Sequence, residues 1–309
     1  MSTPNGESTR TVLIAFGANL LVAGAKTVAA LISGSASMVA EAAHSWADTG
    51  NQVFLLIANR RSARPADHSR PMGYGREAYV WSLLAAVGLF VMGAAVSIWH
   101  GVTQLIDGSG NDENYLVAYV VLAIAFLFEG TSLMQAVRQL RGEADEFDSD
   151  LLEFALATSD PTTRAVFAED SAALIGIVIA AAGIGLHQIT GIAAFDAIGS
   201  ILVGVLLGVI AVILIDRNRR FLTGESGSVA LHDAAVATLQ ELPDIERVRF
   251  LRLEFIGPKQ IFLVASVDLV GDEAESSIAR RLRTAEREIE RNPYVADALL
   301  TVADPDSED

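Results

Sequence analysis

The sequence contains no cysteine among its 309 residues. Disulfide bonds and thiolate ligands are therefore excluded, and any metal site must use nitrogen and oxygen donors. Lysine is also scarce beside arginine, which we attribute to coding bias rather than function. The net charge of −16 leaves little positive charge to replace the counterions of a nucleic acid, so we expect no nucleic-acid partner.

Long hydrophobic runs dominate the first two thirds of the chain. Hydrophobic residues make up 51% of the sequence, and the mean hydropathy is +0.40. Six segments have about 20 residues or more, which is the length needed to cross the hydrocarbon core of a bilayer. The first run is long and has no basic leader, so we interpret it as a span and not as a signal peptide. The predicted spans are residues 11–32, 38–58, 79–106, 115–137, 165–186 and 195–215.

Arginine marks the cytoplasmic side of this predicted six-helix protein. The connection between the second and third spans and the exit from the sixth span are rich in arginine, whereas the connections after spans one, three and five have no lysine or arginine. By the positive-inside rule, both termini lie in the cytoplasm of an integral membrane protein, which we place in the cell membrane. The marking arginines are Arg60, Arg61, Arg64, Arg70, Arg76, Arg217, Arg219 and Arg220.

The last 90 or so residues have the charge content of a soluble domain. The hydrophobic pattern predicts a helix at 229–242, strands at 248–255 and 260–269, a helix at 273–291 and a strand at 298–302. This αββαβ order describes a small α+β domain. We therefore divide the chain into a cytoplasmic tail (1–10), a six-helix transmembrane domain (11–216) and a cytoplasmic domain (217–309), which ends in an acidic tail.

Two ionisable residues, His44 and Asp48, lie in the middle of the second predicted span. A charge near the centre of a bilayer costs roughly 2.5–3.5 kcal/mol, so such a group normally faces a cavity and finds a partner. The spacing of four residues puts both side chains on one face of a helix. An imidazole and a carboxylate on one inward face form half of a site for a divalent metal ion.

Other polar residues lie in the predicted spans. Glu169 and Asp170 are neighbours in span five, and adjacent helical residues point about 100° apart, so we expect only one of them to face the cavity of His44. The remaining candidates for proton relay or ion pairing are Glu41, Asn51, Lys26, Glu129 and Asp196. For Lys26, we favour a structural ion pair with Glu41 or Glu129.

Together these motifs resemble the cation diffusion facilitator family. The resemblance is carried by His44-Ser-x-x-Asp48-x-x-Asn51, by Gly73-Tyr-Gly-Arg76-Glu77 before span three, by Asp170 followed six residues later by Gly176, and by the αββαβ tail. It implies a homodimeric divalent-cation/proton antiporter with a metallochaperone-like, or ferredoxin-like, cytoplasmic domain. It also implies that His44, Asp48 and Asp170 are metal ligands.

The sequence departs from the family at position 166. Members usually have His or Asp four residues before the last aspartate, but this chain has Val166. Glu169 or a water molecule then has to complete the shell, unless coordination is weaker. The cytoplasmic domain has a single histidine, His232, and no cysteine, so we expect its metal sites to be absent or weak. The acidic residues between 143 and 150 are interpreted as a solvated loop.

Ligand chemistry indicates the substrate and the coupling. Imidazole with carboxylates favours Zn²⁺, ahead of Mn²⁺, Fe²⁺ and Co²⁺. Metal binding needs neutral imidazole and ionised carboxylates, so protons compete with the cation. We expect the divalent ion as transported substrate and no tightly bound cofactor. A transporter of another small cation and a non-transporting metal-binding scaffold stay as alternatives; an enzyme is disfavoured because no His-Glu-x-x-His motif is present.

Overall fold

The structure is a computed structural model that describes residues 5–107, 115–146, 150–271 and 274–303, without the side chains of 5–15, 143, 145 and 146. Residues 143–146, which were predicted to belong to an acidic loop, instead continue the helix Tyr115–Glu146. Residues 147–149 and the predicted acidic tail lie outside the described residues. The described chain is helical up to Thr223 and then forms a small sheet with two helices.

Six long helical stretches and one short helix form the first part. The third long stretch consists of α3 and α4 joined by a π-helical segment, Leu89–Ala95. The helices are α1 (Asn5–Ser33), α2 (Ala36–Ser62), α3 (Glu77–Gly88), α4 (Val96–Asp107), α5 (Tyr115–Glu146), α6 (Leu151–Ala157), α7 (Pro161–Thr190) and α8 (Ala194–Thr223).

Five of the described stretches are long and apolar enough to cross a membrane: Phe16–Ser33, Glu77–Asp107, Tyr115–Gly142, Pro161–Thr190 and Ala194–Thr223. The remaining predicted span, the second (38–58), lies in α2. This helix has 27 residues, which is sufficient length. Its sequence is more polar than that of the others, because it carries Glu41, His44, Asp48 and Asn51. The six-span prediction therefore stays a prediction, while the helical membrane-type domain itself is confirmed.

Helix α7 has well-defined ends. The carboxylate of Asp160 accepts a hydrogen bond from the backbone N–H of Thr162 at 2.9 Å, and Pro161 occupies the first turn, where no backbone donor is needed. Gly191 ends the helix with a φ of 72°, the left-handed conformation that glycine adopts without steric cost. These two ends fix the length of the helix that carries Glu169 and Asp170.

Small residues let α4 and α8 pack closely. A Cβ atom at Gly101 would lie 2.7 Å from the carbonyl oxygen of Ala197, and one at Gly204 would lie 2.7 Å from Cγ1 of Ile98. Glycine at such positions allows helix backbones to approach each other, as is common for helices in membranes. Substitution at either position would force the two helices apart.

The chain divides into two compact units. One contains the described residues up to Asn59 and those from Val80 to Asn218; the other contains Arg60–Tyr79 and the described residues from Arg219 onward. The connection between α2 and α3 thus belongs to the same unit as the C-terminal sheet.

The second unit contains a three-stranded sheet in the order β1-β2-β3. Strand β1 pairs with β2 in antiparallel orientation, and β2 pairs with β3 in parallel orientation. Leu239, Leu263, Ile289 and Leu300 belong to one buried apolar cluster between the helices and one face of the sheet. The small sheet domain that the sequence predicts is confirmed. Its elements are α9 (Val229–Gln240), β1 (Ile245–Gly257), β2 (Gln260–Leu269), α10 (Glu275–Ile289) and β3 (Val295–Val302).

The Gly-Tyr-Gly-Arg motif packs against the turn between β1 and β2. A Cβ atom at Gly75 would lie 2.5 Å from the carbonyl oxygen of Ile256 and 2.7 Å from Cα of Gly257. The guanidinium of Arg76 pairs with the carboxylate of Glu254 on β1. The motif therefore has a packing role within this unit.

A tight turn precedes this motif. The carboxylate of Asp67 accepts hydrogen bonds from Ser69 Oγ at 2.6 Å and from Tyr74 Oη at 2.8 Å. These two side-chain bonds, together with backbone donors, lower the pKa of Asp67 to about 2. The turn is consequently held by a charged acceptor throughout the physiological pH range.

We expect Gly75→Ala to destabilise the protein by about 2 kcal/mol, because the new methyl group would meet backbone atoms that cannot move aside independently. The measurement is the thermal unfolding of the purified full chain in detergent. Gly142→Ala is the matched control, because a Cβ atom there has no neighbour within 4 Å. This control should unfold at or slightly above the wild-type temperature, since alanine is the better helix former. Equal melting temperatures for both variants would contradict the close packing of Gly75.

Candidate metal centre

The two polar residues in the middle of α2 form a pair. His44 is fully buried and the side chain of Asp48 is 14% exposed, with His44 Nε2 lying 3.5 Å from Asp48 Oδ2. Two donor atoms that share a tetrahedral zinc ion, each at roughly 2.0 Å from it, are about 3.3 Å apart. The spacing of the pair therefore fits two ligands of one ion.

Several polar atoms of this pair and its surroundings have no hydrogen-bond partner among the described residues. They are both ring nitrogens of His44, Oδ1 of Asp48 and Oδ1 of Asn51, all of them buried. A buried polar atom without a partner costs about 1–3 kcal/mol. Lone pairs of three neighbouring side chains of one helix are thus available to a cation, which is unusual in a purely structural arrangement.

The two carboxylates of α7 face different helices. Glu169 is buried and accepts a hydrogen bond from the side-chain amide of Asn51 on α2. Asp170 Oδ2 accepts a hydrogen bond from Ser132 Oγ on α5 at 2.6 Å. Of the two, Glu169 is therefore directed toward the helix of His44 and Asp48.

A complete set of protein ligands is not assembled in this conformation. Within the described residues, no three His, Asp or Glu side chains lie close enough together to hold an ion. Val166, one turn before Asp170, supplies no donor atom. The charges of Glu169, Glu129 and Asp170 nevertheless act on Asp48, so the carboxylates share one electrostatic environment.

A second buried ion pair lies on the same face of α2. Lys26 Nζ on α1 is 2.8 Å from Glu41 Oε2, and both side chains are fully buried. Glu41 precedes His44 by about one helical turn. A Cβ atom at position 176 of α7 would lie 2.7 Å from Glu41 Oε1, so Gly176 leaves room for this carboxylate. The glycine that follows Asp170 by six residues in the family motif therefore lies next to Glu41 of α2.

Asp196 connects the start of α8 to the start of α2. Its carboxylate accepts hydrogen bonds from Ser35 Oγ at 2.8 Å, from the backbone N–H of Ala36 at 2.6 Å and from that of Ser37 at 3.2 Å. A negative charge at a helix N-terminus satisfies the free backbone donors and interacts favourably with the helix dipole. The structure gives this residue a capping role at the end of the helix that carries His44.

One residue that the sequence analysis did not single out is Arg164 in the first turn of α7. It is fully buried and donates hydrogen bonds to the carbonyl oxygen of Thr158 at 2.8 Å and to Asn218 Oδ1 at 2.7 Å. Asn218 in turn donates to Ser82 Oγ at 3.2 Å. The signal available in the sequence was an arginine in the first turn of a predominantly apolar helix, and the network that it forms joins α7, α8 and α3.

In the part of the chain that the structure describes, no histidine outside α2 lies in a group of three or more His, Asp or Glu side chains that could hold a metal ion. His68 and His232 are exposed. The expectation that the C-terminal domain binds metal weakly or not at all stays a prediction.

Comparison with protein families supports the sequence resemblance. The family model of the cation efflux transmembrane domain matches residues 12–222, which is more than half of the chain. The chain belongs to the cation diffusion facilitator family. It is accordingly an integral membrane protein, with a helical membrane domain followed by a small sheet domain.

Relatives of this family member include the mitochondrial proton-coupled zinc antiporter SLC30A9. The mouse and human proteins (Mus musculus, Homo sapiens) are each 34% identical over 262 residues, which is 85% of this chain and 46% of the relative. Metal tolerance protein C4 of Arabidopsis thaliana is 35% identical over 274 residues, which is 89% of this chain and 60% of the relative. The chain thus spans about half the length of the antiporters that it matches.

Proposed function

We propose that this family member carries a divalent cation across the membrane in exchange for protons, and that it is not an enzyme. Zn²⁺ is the favoured substrate, ahead of Mn²⁺, Fe²⁺ and Co²⁺, and the direction is out of the cytoplasm. The proposal is supported by the buried His44 and the mostly buried Asp48 in a helix of the membrane domain, whose Nε2 and Oδ2 atoms are 3.5 Å apart and which have further donor atoms without a hydrogen-bond partner among the described residues. Imidazole with carboxylate oxygen suits zinc better than magnesium or calcium. The names of the zinc antiporter relatives support the same substrate.

The third ligand is proposed to come from α7. Asn51 is placed less than one turn after Asp48 on α2 and holds Glu169 through its side-chain amide. A small movement of α7 toward α2 would therefore bring the Glu169 carboxylate to a cation held by His44 and Asp48. Asp170, the residue that matches the family motif, accepts a hydrogen bond from Ser132 on α5. Its side chain would have to turn further than that of Glu169 to reach the same cation. Water can fill the fourth position, as in other three-ligand zinc sites.

Exchange with protons follows from the chemistry of these ligands. Zinc binds only to neutral imidazole and ionised carboxylates, so its binding releases protons and protonation expels it. Protons from the side with the lower pH therefore compete with zinc for the same nitrogen and oxygen atoms. Access from alternate sides would couple the two fluxes.

We also propose that the chain has six transmembrane spans and that α2 is the span that carries the candidate metal centre. A helix that lines a cation pathway is expected to be more polar than one that faces only lipid. We assign residues 11–216 to the transport domain and 217–309 to a cytoplasmic, metallochaperone-like domain, with both termini in the cytoplasm as the arginine distribution indicates. The cell membrane remains our predicted location, although the antiporter relatives are mitochondrial by name.

A homodimer is also proposed. Phe250 on β1 and Leu299 on β3 are 48% and 49% exposed, so the sheet presents apolar surface that a second copy can cover. The family resemblance points to the C-terminal domain as the contact region.

The function can be tested in proteoliposomes with an acidic interior. We expect external Zn²⁺ to enter faster than Mn²⁺, Fe²⁺ or Co²⁺, and we expect uptake to cease when an ionophore collapses the pH gradient. Vesicles that take up none of these ions would contradict cation transport. Uptake that persists unchanged after the gradient is collapsed would contradict proton exchange.

The two carboxylates of α7 can be distinguished by substitution. We expect Glu169→Gln to lower the apparent zinc affinity by about tenfold or more, because it removes a charged ligand that is directed toward α2. Asp170→Asn should have a smaller effect. The measurement is the zinc concentration that gives half-maximal uptake. A larger loss in Asp170→Asn than in Glu169→Gln would assign the ligand to Asp170, as the family motif implies.

A further inference from the structure

The buried ammonium of Lys26 lies next to the candidate metal centre, although cation transport itself does not call for a fixed positive charge there. We propose that Lys26 is a built-in cation that balances the carboxylates of the site while no metal is bound, and that its charge lowers the affinity of the site for the metal ion. This inference rests on the proposed function, since it assigns a role within the same site.

Lys26 contacts the helix that carries the candidate ligands. Lys26 reaches α2 at Glu41, which lies three residues before His44 and seven before Asp48. Residues with these spacings share one face of a helix. Lys26 therefore approaches the face of α2 that carries the candidate ligands.

The ammonium of Lys26 does not use all of its hydrogen-bonding capacity among the described residues. An ammonium group can donate three hydrogen bonds. Within the described residues, the structure gives Lys26 Nζ one such bond, to Glu41 Oε2 at 2.8 Å. Glu41 Oε1 is buried and has no hydrogen-bond partner there. A pair that served stability alone would be expected to use more of this capacity, because unpaired polar groups in a buried site are costly.

Lys26 is surrounded by acidic residues of the membrane domain. Glu41, Asp48 and Glu129 all interact electrostatically with Lys26. Lys26 is the only lysine in the membrane domain, since the other lysine, Lys259, lies between β1 and β2. Arg164, a buried arginine of α7, is bonded to Thr158 and Asn218 instead. Lys26 is thus placed to offset the acidic groups that would otherwise face one another in a site without metal.

A divalent ion that enters this site meets the positive field of Lys26. Repulsion between the two charges lowers the affinity for the ion, and the effect is large where water is scarce. A carrier has to release its cargo on the far side, and this repulsion assists the release that protonation of the ligands drives. Lys26 sets the affinity through its charge and does not touch the ion, so it is a positioning and affinity-setting residue.

Two substitutions with opposite expected effects test this role. Lys26→Gln removes the positive charge and should tighten zinc binding by about tenfold or more, with a slower maximal rate of uptake. Glu41→Gln releases the ammonium toward Asp48 and should weaken zinc binding by a similar factor. Lys259→Gln is the matched control, because it removes the same charge from the C-terminal domain, and it should bind zinc as the wild type does. Zinc affinity is measured by competition with a chromophoric chelator on the purified full chain, and the rate by uptake into proteoliposomes.

Opposite shifts in the two variants support the inference. Unchanged affinities, or shifts in the same direction, would overturn it. If the pair were purely structural, removing either partner would lower the stability of the protein without shifting the zinc affinity in opposite directions. If Lys26→Gln does not fold, Glu41→Gln alone decides, and unchanged or tighter binding overturns the inference. A wild-type protein that neither binds nor transports zinc would contradict the proposed function, whereas wild-type transport with unaltered affinities in both variants would contradict only the role of Lys26.

Discussion

Asp48→Asn should reduce zinc transport by about 100-fold while the protein stays folded. The substitution replaces an ionised ligand by a neutral amide of nearly the same shape, and zinc binds carboxylate oxygen far better than amide oxygen. Asp48 Oδ1 makes no hydrogen bond among the described residues, so few structural contacts are lost. The measurement is the initial rate of zinc uptake into proteoliposomes at a fixed pH gradient.

An exposed aspartate provides the control for this experiment. Asp297 lies on β3 and is exposed, so Asp297→Asn removes the same charge outside the membrane domain. This variant should transport zinc at the wild-type rate. An Asp48→Asn protein that keeps more than a third of the wild-type rate would remove Asp48 from the pathway.

Asp196→Ala should destabilise the protein by about 3 kcal/mol or more. Asp196 is fully buried, and its loss would leave the donors of Ser35, Ala36 and Ser37 without an acceptor at the start of α2. Loss of a helix cap typically costs about 1 kcal/mol, and each further unsatisfied buried donor adds roughly 1–3 kcal/mol. Thermal unfolding of the purified protein in detergent measures the loss.

Asp196 was also a candidate for proton relay, and a conservative variant distinguishes this role from that of a helix cap. Asp196→Asn keeps one acceptor oxygen, so it should lose less stability than Asp196→Ala and should retain proton-coupled zinc uptake. Asp107→Ala, at the exposed end of α4, is the control for stability and should unfold like the wild type. A folded Asp196→Asn protein with no uptake would indicate a relay and not a cap.

Much of the fold was predictable because its signals are local. Apolar runs of about 20 residues indicated the long helices, and alternating patterns around Gly257 and Pro258 indicated the paired strands. The pairing of His44 with Asp48 followed from helical periodicity alone. The predicted strand at 298–302 was too short, since β3 begins at Val295.

Contacts between distant segments could not be read from the sequence. Nothing local indicates that Asp196 caps a helix that starts 160 residues earlier, or that Gly176 makes space for Glu41. The helical angle between Glu169 and Asp170 showed that they diverge, but not which of them faces α2. That choice depends on how α7 is rotated, which is set by packing over its whole length.

The most direct test of the metal centre is the equilibrium binding of Zn²⁺ to the purified full chain near neutral pH. The wild type and the double variant His44→Ala/Asp48→Ala are compared under identical conditions, with circular dichroism to show that both are folded. We expect the wild type to bind one zinc ion tightly per chain with release of protons, and we expect the double variant to lose this site. A folded double variant that binds zinc with the stoichiometry and affinity of the wild type would contradict the assignment of His44 and Asp48 as ligands.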